Sequence, residues 1–430
     1  CIYVTRRRGV EEAGREPMLG CADGCKSVIT CWKPCLYSQP QIALAPLVKT
    51  QAACVTGVKE PQPLAYAPGT GRFVIGFCGS GTGHLTQSLA VLRMLQARGM
   101  TLAGIVFDTD ATQKMVQETL EPLGVPLLQL PAIKLVDPKK GMVPTVVTLH
   151  SVITGVGKLR GMYPQLVSFF VDAKAEYIFN FWHTTLAFFL RSHPPPPGVR
   201  ISNVAPQFAL SSLDVRDLGF WEIVGKSTID AMAALIAQTG PCLSLSARPQ
   251  PNSLPPILEV PAAVTSFSSR LILCYFLAQP DAVRLERLLA QFSISGVEIH
   301  CFTTAPLTPP AGRPLALESH AKQRALFKHY FDRCTGIICS TGNETIWEAV
   351  CRGVPVLTVP TSGHPEQMMN ARIHGRAFPA SVRAVSRVRI EDVRWLVDFK
   401  PSEESIAESS ALRERATTFD AEGARLLCGA

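Results

Sequence analysis

From residue 72 onward the chain alternates unbroken apolar runs with stretches whose apolar positions recur every three or four residues. The run RFVIGFC, beginning at Arg72, reads as a buried strand; the glycines after it make a turn, and HLTQSLAVLRMLQARG has the spacing of an amphipathic helix. TLAGIVFD predicts a second strand, the residues from Met115 to Leu120 a helix, VPLLQLP a third strand, and AEYIFNFW and VRISNVAP two more after intervening helical segments. RPQPNSLPPILEVP then breaks the rhythm, because proline fixes φ and removes a backbone donor. Beyond it the alternation resumes. RLILCYFL, VEIHCFTT, CTGIICS and VPVLTVP predict strands, and DAVRLERLLAQF, AKQRALFKHYF and ETIWEAVCRG predict helices. Strands alternating with helices imply parallel sheets. The expected division is an extension over 1–70, a first doubly wound α/β domain over 71–247, a proline-rich linker over 248–264, a second such domain over 265–395, and a C-terminal helix or tail over 396–430.

Composition narrows the class. With 430 residues, 47% of them hydrophobic and 18% charged, the chain has the makeup of a globular protein with room for two cores. The net charge of +8 is spread out, and no Lys/Arg block is interleaved with aromatics, so no nucleic-acid groove is expected. The charge is compatible with nucleotide phosphates and with peripheral contact to an anionic membrane. The most apolar stretch, Leu166 to Leu190, contains Asp172, Lys174 and Glu176 and is not expected to span a bilayer. No initiator Met is present, and residues 1–70 lack a clean apolar signal core, so this segment reads as a fragment, an unprocessed leader or an extension. Six of the 14 cysteines precede residue 55; Cys21/Cys25 and Cys31/Cys35 form C-x3-C pairs without a nearby histidine, a poor match to zinc ribbons. Cys78, Cys274, Cys301 and Cys339 lie inside apolar runs, as small buried hydrophobes do. This usage favours a reducing compartment, cytoplasmic or organellar, a plastid included.

Two clusters carry candidate chemistry. Gly79-Ser80-Gly81-Thr82-Gly83-His84 lies between a strand and a helix, where backbone amides approach a ligand closely. Its G-x-G-x-G spacing is not the dinucleotide fingerprint, and a tight turn with close helix packing explains the glycines equally well. His84 is either a base matched to neutral pH or a helix cap or phosphate contact. In the second cluster, Ser340, Thr341, Gly342, Asn343 and Thr345 fall at a strand end and helix start. Their hydroxyls and N–H groups can hold a diphosphate there without a metal. Glu348 lies one turn further, placed to accept bonds from a ribose. His364, Glu366 and Gln367 open the next helix and can reach a donor sugar; His364 also reads as the polar first residue of a surface helix.

The segment from Ile338 to Ala371, with its order G-x5-E-A-x3-G-x-P followed by E-Q-x2-N-A, resembles the donor-binding signature of GT-B glycosyltransferases. That group includes the UDP-sugar transferases of plants and animals, the N-acetylglucosaminyl transferase of peptidoglycan synthesis, and the galactolipid synthases of plastids. The resemblance implies two Rossmann-like domains facing across a cleft, and inverting transfer from a nucleotide-sugar, used as co-substrate without a further cofactor or metal. It implies that Gly342 and Thr345 contact the diphosphate, Glu348 the ribose, and Glu366 and Gln367 the sugar. His84, on a loop similar to the family's glycine loop, inherits candidacy as the base. Ser340 stands where many relatives have a phosphate-binding histidine, and Gln87 where a proline often follows the loop histidine. The acceptor (lipid, glycan or small molecule) is not readable. A nucleotide-sugar epimerase and a non-catalytic nucleotide-sugar-binding protein share the features so far described.

Three other groups call for a reading. Asp108-Thr109-Asp110 has metal-binding spacing but sits at a strand-to-helix corner, where Asp serves as a cap. Trp182 and His183 follow a strand of the first domain and either face an acceptor or pack in the core. Arg372, Arg376, Arg383, Arg387, Arg389 and Arg394 make a basic stretch, read as a solvated face or an anionic-surface contact.

Overall fold

The computed structural model describes residues 63–79, 83–109, 111–132, 155, 157–258, 270–292 and 294–428. The N-terminal cysteine pairs, Ser80, Gly81, Thr82, Asp110 and residues 259–264 of the expected linker lie outside them.

Every strand in the first half is parallel. The half runs β1 (Arg72–Phe77), α1 (Gly83–Gln96), β2 (Thr101–Asp108), β3 (Leu127–Leu130), α2 (Tyr163–Ala173), β4 (Tyr177–Phe181), α3 (Thr184–Ser192), β5 (Arg200–Val204), α4 (Phe220–Ala237), β6 (Cys242–Leu245) and β7 (Ser253–Leu254). The sheet order is β3-β2-β1-β4-β5-β6-β7. Because helices cover both faces, β1 after Arg72 and β4 apart from Asn180 run as near-continuous apolar stretches rather than alternating. Phe73, Phe77, Phe179 and Phe181 are fully buried in the core they form.

The second half repeats the plan with β8 (Leu271–Tyr275), α5 (Gln279–Gln291), β9 (Glu298–Thr303), β10 (Glu318–Ala321), α6 (Arg324–Phe331), β11 (Gly336–Cys339), α7 (Asn343–Cys351), β12 (Val356–Thr358), α8 (Pro365–Ala377), β13 (Val382–Ala384) and α9 (Ile390–Val397). Its order, β10-β9-β8-β11-β12-β13, is the Rossmann sequence 3-2-1-4-5-6. The first six strands of the first sheet follow the same sequence. Each sheet therefore reverses direction at one point, between β1 and β4 and between β8 and β11, and it is there that a crevice opens.

Several expectations change in detail. The helix expected from Met115 to Leu120 is a three-residue turn, Gln113–Met115, followed by a π-helical turn over Val116–Leu120. The proline-rich stretch is not wholly linker: Ser253–Leu254 adds β7 to the first sheet, with Ser244 and Leu245 of β6 as partners. A two-residue strand gives too little alternation to be seen in sequence. The C-terminal segment is two helices, α10 (Glu403–Thr417) and α11 (Phe419–Cys428). Ser409 on α10 donates to the Cys351 carbonyl at 3.0 Å, whereas α11 returns to the first half, where Arg98 donates to the Asp420 carbonyl at 2.6 Å. The apolar stretch from Leu166 to Leu190 is cut into α2, β4 and α3, and among the described residues no helix is long and apolar enough to cross a membrane. None of the described cysteines is in a disulfide. Burial pushes the Cys334 and Cys339 thiols up to about 12, as befits core residues.

Candidate functional site in the cleft between the sheets

At the crest of the first sheet the chain after β1 turns tightly. A Cβ on Gly79 would lie 2.4 Å from the Ala111 nitrogen, so only glycine fits, and its N–H donates to Asp108 Oδ1 at 2.9 Å. Asp108 is thus held at this corner as a backbone acceptor. His84, in the first turn of α1, is buried. Gln207 donates to its Nε2 at 3.4 Å, and its Nδ1 has no partner among the described residues. Burial pushes the imidazole down to about 4, with Gln87 and Asp108 pulling the other way, so the ring is neutral at physiological pH. After β4 the backbone is strained: Trp182, a bulky residue, takes φ +56. Asn180 holds this turn, its Oδ1 accepting from the His183 N–H at 2.8 Å and its amide donating to Asn203 Oδ1 at 3.0 Å. Trp182 packs edge-on against Phe208, and His183 Nδ1 accepts from the Leu186 N–H at 3.4 Å at the start of α3. Both therefore serve core and capping roles, although His183 Nε2 has no partner among the described residues.

The crest of the second sheet is built of hydroxyls that bond to neighbours. Ser340 Oγ accepts from the Leu277 N–H at 2.9 Å, tying the loop after β8 to that after β11. Thr341, fully buried, bonds Thr358 Oγ1 at 2.8 Å. Asn343 Oδ1 lies 2.9 Å from His374 Nε2. The side chains of Thr341 and Asn343, expected to hold a diphosphate, thus point inward and lock the corner; what faces outward is backbone. Gly342 is the N-cap of α7, exposed, with no side-chain cap on the helix start. Open N–H groups in the first turn of a helix are an anion site.

A cleft of about 880 Å³ lies between these crests, within the range for small-molecule sites. Gly83, Thr86, Arg93 and Arg98 line it from α1 and the turn after it. Gly342, Glu344, Thr345 and Glu348 line it from α7, where spacings of three and four put the last three on one face. Tyr275, Phe302, Lys322, Gln323, Arg324, Phe327 and Lys328 complete its apolar and basic floor. Five cationic side chains face three acids, so the cleft favours an anion.

Two amide–carboxylate bonds cross the cleft. Gln87 donates to Glu344, and Gln207 donates to Glu366 Oε1 at 3.0 Å while also reaching His84. Burial raises both carboxyls; Glu366 is pushed up to about 7, with Gln207 opposing and Glu344 adding to the shift. His364 accepts from the Gln367 N–H as the N-cap of α8, and Gln367 Oε1 accepts from the Thr361 N–H at 2.8 Å. Of the expected donor residues, Gly83, Gly342, Thr345 and Glu348 meet in the cleft. Glu366 joins the His84 chain, and His364 and Gln367 shape the loop before α8. Sequence reasoning missed Gln207, Glu344 and the Lys322–Arg324 loop. The only local signals were an acid in the first turn of α7 and a basic turn before α6.

The basic stretch after the donor motif is not simply a solvated face. Arg372 pairs with Glu222 and Arg376 with Asp217, joining α8 to the first half. Arg372 and Arg376, with Arg383, also edge a shallower hollow of about 420 Å³ beside β13.

Two Rossmann-like domains of this order, with the open helix start and the first turns of α1 lining one cleft, constitute the GT-B fold. Solved structures of glycosyltransferases bear this out. UGT89C1 of Arabidopsis thaliana, complexed with UDP, aligns with a TM-score of 0.56 at 13% identity over 83% of this chain and 99% of its own. The glycotransferase of kitacinnamycin gives 0.53 at 15% identity, covering 85% and 100%. The calicheamicin glycosyltransferase CalG4 gives 0.52 at 13%, covering 83% and 98%. At these identities the likeness is one of fold. No protein-family model matches the sequence, and no curated protein matches it as a relative.

Proposed function

We propose that this protein is a glycosyltransferase that moves a sugar from a nucleoside-diphosphate sugar, UDP-linked by preference, to an acceptor hydroxyl. The observation that carries this reading is the single cleft in which Gly342, Thr345 and Glu348 at the start of α7 meet a basic lining contributed by both halves. In this reading the helix start and the cationic side chains hold the diphosphate and stabilise the charge it develops on leaving, so neither metal nor cofactor is needed. Glu348 accepts bonds from the ribose. His84 is neutral and takes the acceptor proton as that oxygen attacks the anomeric carbon from the side opposite the leaving diphosphate, inverting its configuration. The Gln207 bond to Nε2 leaves the ring proton on Nδ1. An acceptor hydroxyl takes the place of Gln207 at Nε2, and Glu366, beside Gln207, is positioned to bind the sugar. UGT89C1 was solved with UDP, which supports a uridine donor.

The test is a thermal-shift and calorimetry panel of UDP, GDP, dTDP and their sugars on the wild type and Glu348→Ala. One nucleotide is expected to stabilise the protein, and the variant to lose most of that shift. If no nucleotide binds, the reading fails. If donor sugar is converted without any acceptor, the enzyme is an epimerase.

A further inference from the structure

We propose that His300, His320 and Glu318 form a binding site for a divalent cation of the zinc class on the outer edge of the second sheet, with Glu298 orienting the His300 ring. The register of β9 and β10 makes the site. Glu318 is paired with His300 and His320 with Phe302, and alternation puts Glu298, His300, Phe302, Glu318 and His320 on one face. The candidate ligand atoms of His300, Glu318 and His320 all lie within 4.8 Å of one another. His300 Nδ1 is 2.9 Å from His320 Nε2 and 3.4 Å from Glu318 Oε2. In a tetrahedron of zinc bonds to nitrogen and oxygen the ligand atoms are separated by about 3.3 Å, so adjustments of a few tenths of an ångström close two of the three edges.

His300 Nε2 lies 2.5 Å from Glu298 Oε1, and a carboxylate only accepts, so Nε2 carries a proton and Nδ1 is the ring nitrogen that faces His320 and Glu318. A histidine donating its far N–H to a carboxylate while its near nitrogen faces other ligands is the usual arrangement at zinc. His300 is almost fully buried, with the Tyr330 ring stacked 3.7 Å from it, and Phe302 stacks on His320 at 4.8 Å. This shell limits water on the inner side. The Glu318 side chain is 67% exposed, which leaves a path of entry and a fourth position for water. Two imidazoles and one carboxylate suit zinc better than magnesium or calcium.

The site is separate from the proposed chemistry but adjoins it. Among the described residues β10 pairs only with β9, and the chain leaves it directly into Lys322, Gln323 and Arg324, which line the cleft. A bound ion would fasten that edge strand and the loop it feeds.

The experiment uses the whole chain, stripped of metal by chelation and titrated with Zn²⁺ alone. Glu318→Gln and His320→Asn are measured beside it, both checked for fold by circular dichroism. To keep any binding by the chain's cysteine thiols out of the reading, the readout is a difference, and Co²⁺ substitution separates thiolate from nitrogen and oxygen sites. Thiolate ligation gives strong near-ultraviolet charge-transfer bands; nitrogen and oxygen ligation gives only weak visible bands. The expected result is one zinc equivalent fewer in each variant, loss of the weak visible bands with any thiolate bands unchanged, and loss of a zinc-dependent rise in melting temperature of about 2–4 °C. Equal stoichiometry, spectra and melting shifts in all three proteins would overturn the proposal and leave His300–His320 as a hydrogen bond that packs the sheet edge.

Discussion

At the crest of the first sheet polar side chains are buried with atoms left over, whereas at the crest of the second Ser340, Thr341, Asn343 and Gln367 close on their neighbours, and the atoms left over in that half, on Asp281, Trp347 and His374, belong to other residues. His84 Nδ1, Gln87 Oε1, His183 Nε2 and Gln207 Oε1 are all buried without partners among the described residues. Across the cleft Ser340, Thr341, Asn343 and Gln367 spend their side chains on Leu277, Thr358, His374 and Thr361, and the helix start at Gly342 is what stays open. Unsatisfied buried groups are costly, and each calls for an explanation. One strand order has thus been built in two ways: one half keeps neutral, adjustable polar atoms, which the proposed reaction uses for a variable hydroxyl, and the other fixes a rigid corner, which it uses for an anion.

The sharpest way to break this division is His84→Ala. Within the proposed reaction, loss of a general base lowers kcat by roughly 10²- to 10⁴-fold. Nucleotide stabilisation, measured by thermal shift, should persist because the second crest is untouched. In the wild type, the acid limb of kcat/KM attributable to His84 is expected near pH 4 rather than near 6.5, since burial has lowered its pKa. Loss of nucleotide binding in His84→Ala would mean that the crests do not divide the work.

The sequence carried this division unevenly. The Gly342 to Glu348 spacing was legible because a helix start and its first turns are contiguous, and so was the apolar rhythm of the long central strands. The inward turn of Thr341 and Asn343 was not, because it depends on Thr358 and His374, reached only once β12 and α8 are in place. Gln207, on a 3₁₀ turn 123 residues from His84, could be found only through the fold. The short edge strands β7, β10 and β13 were missed for a simpler reason: their two to four residues mix polar and apolar side chains outside any apolar run, whereas β3 and β12, equally short, sit inside one.

The next test acts on the approach of the two crests. A Cβ on Gly225 of α4 would lie 2.0 Å from the Pro365 Cβ, in a ring fixed to the first turn of α8. Gly225→Val is expected to force the helices apart, costing about 1–3 kcal/mol by chemical denaturation. It should lower turnover as well, because Gln207–Glu366 and Gln87–Glu344 span the same junction. Gly342→Ala, with nothing within 4 Å and an ordinary extended φ of −90, is expected to stay within about 0.5 kcal/mol.

Glu366 sharpens the comparison through pH. Its folded pKa, about 7, lies above the unfolded value near 4.5, so the native state binds more protons between those values. The contribution of this group is therefore fully present below about pH 4.5 and is lost as pH rises through 7. Unfolding free energies of the wild type from urea titrations should fall across that window by an amount on the order of 1–2 kcal/mol, after allowing for partial solvation. In Glu366→Gln the fall should be shallower, leaving the share due to Glu344, whose carboxyl burial also raises. An unchanged slope would show that Glu366 is better solvated than its neighbours indicate.

The smallest effects separate two arginines on one helix. Arg372 grips Glu222 with two bonds of 2.9 Å, and only 3% of the Glu222 side chain is exposed; Arg376 meets Asp217 at 2.8 Å with both side chains about half exposed. Burial raises the Glu222 carboxyl, but Arg372 and the Gly219 N–H outweigh it and hold the group below its usual value. Arg372→Ala leaves that carboxylate uncompensated, at a cost of about 1–3 kcal/mol at pH 7. Because the folded pKa is depressed, the deficit should shrink as pH falls below about 4.5 and Glu222 takes up a proton. Arg376→Ala removes an exposed pair worth about 0–1 kcal/mol, and added salt should erase most of that. Equal losses in the two variants, insensitive to pH and salt alike, would mean that α8 is held to the first half by its apolar face, through Met369 against Ile229 and Ile236, and that the ion pairs only decorate the seam.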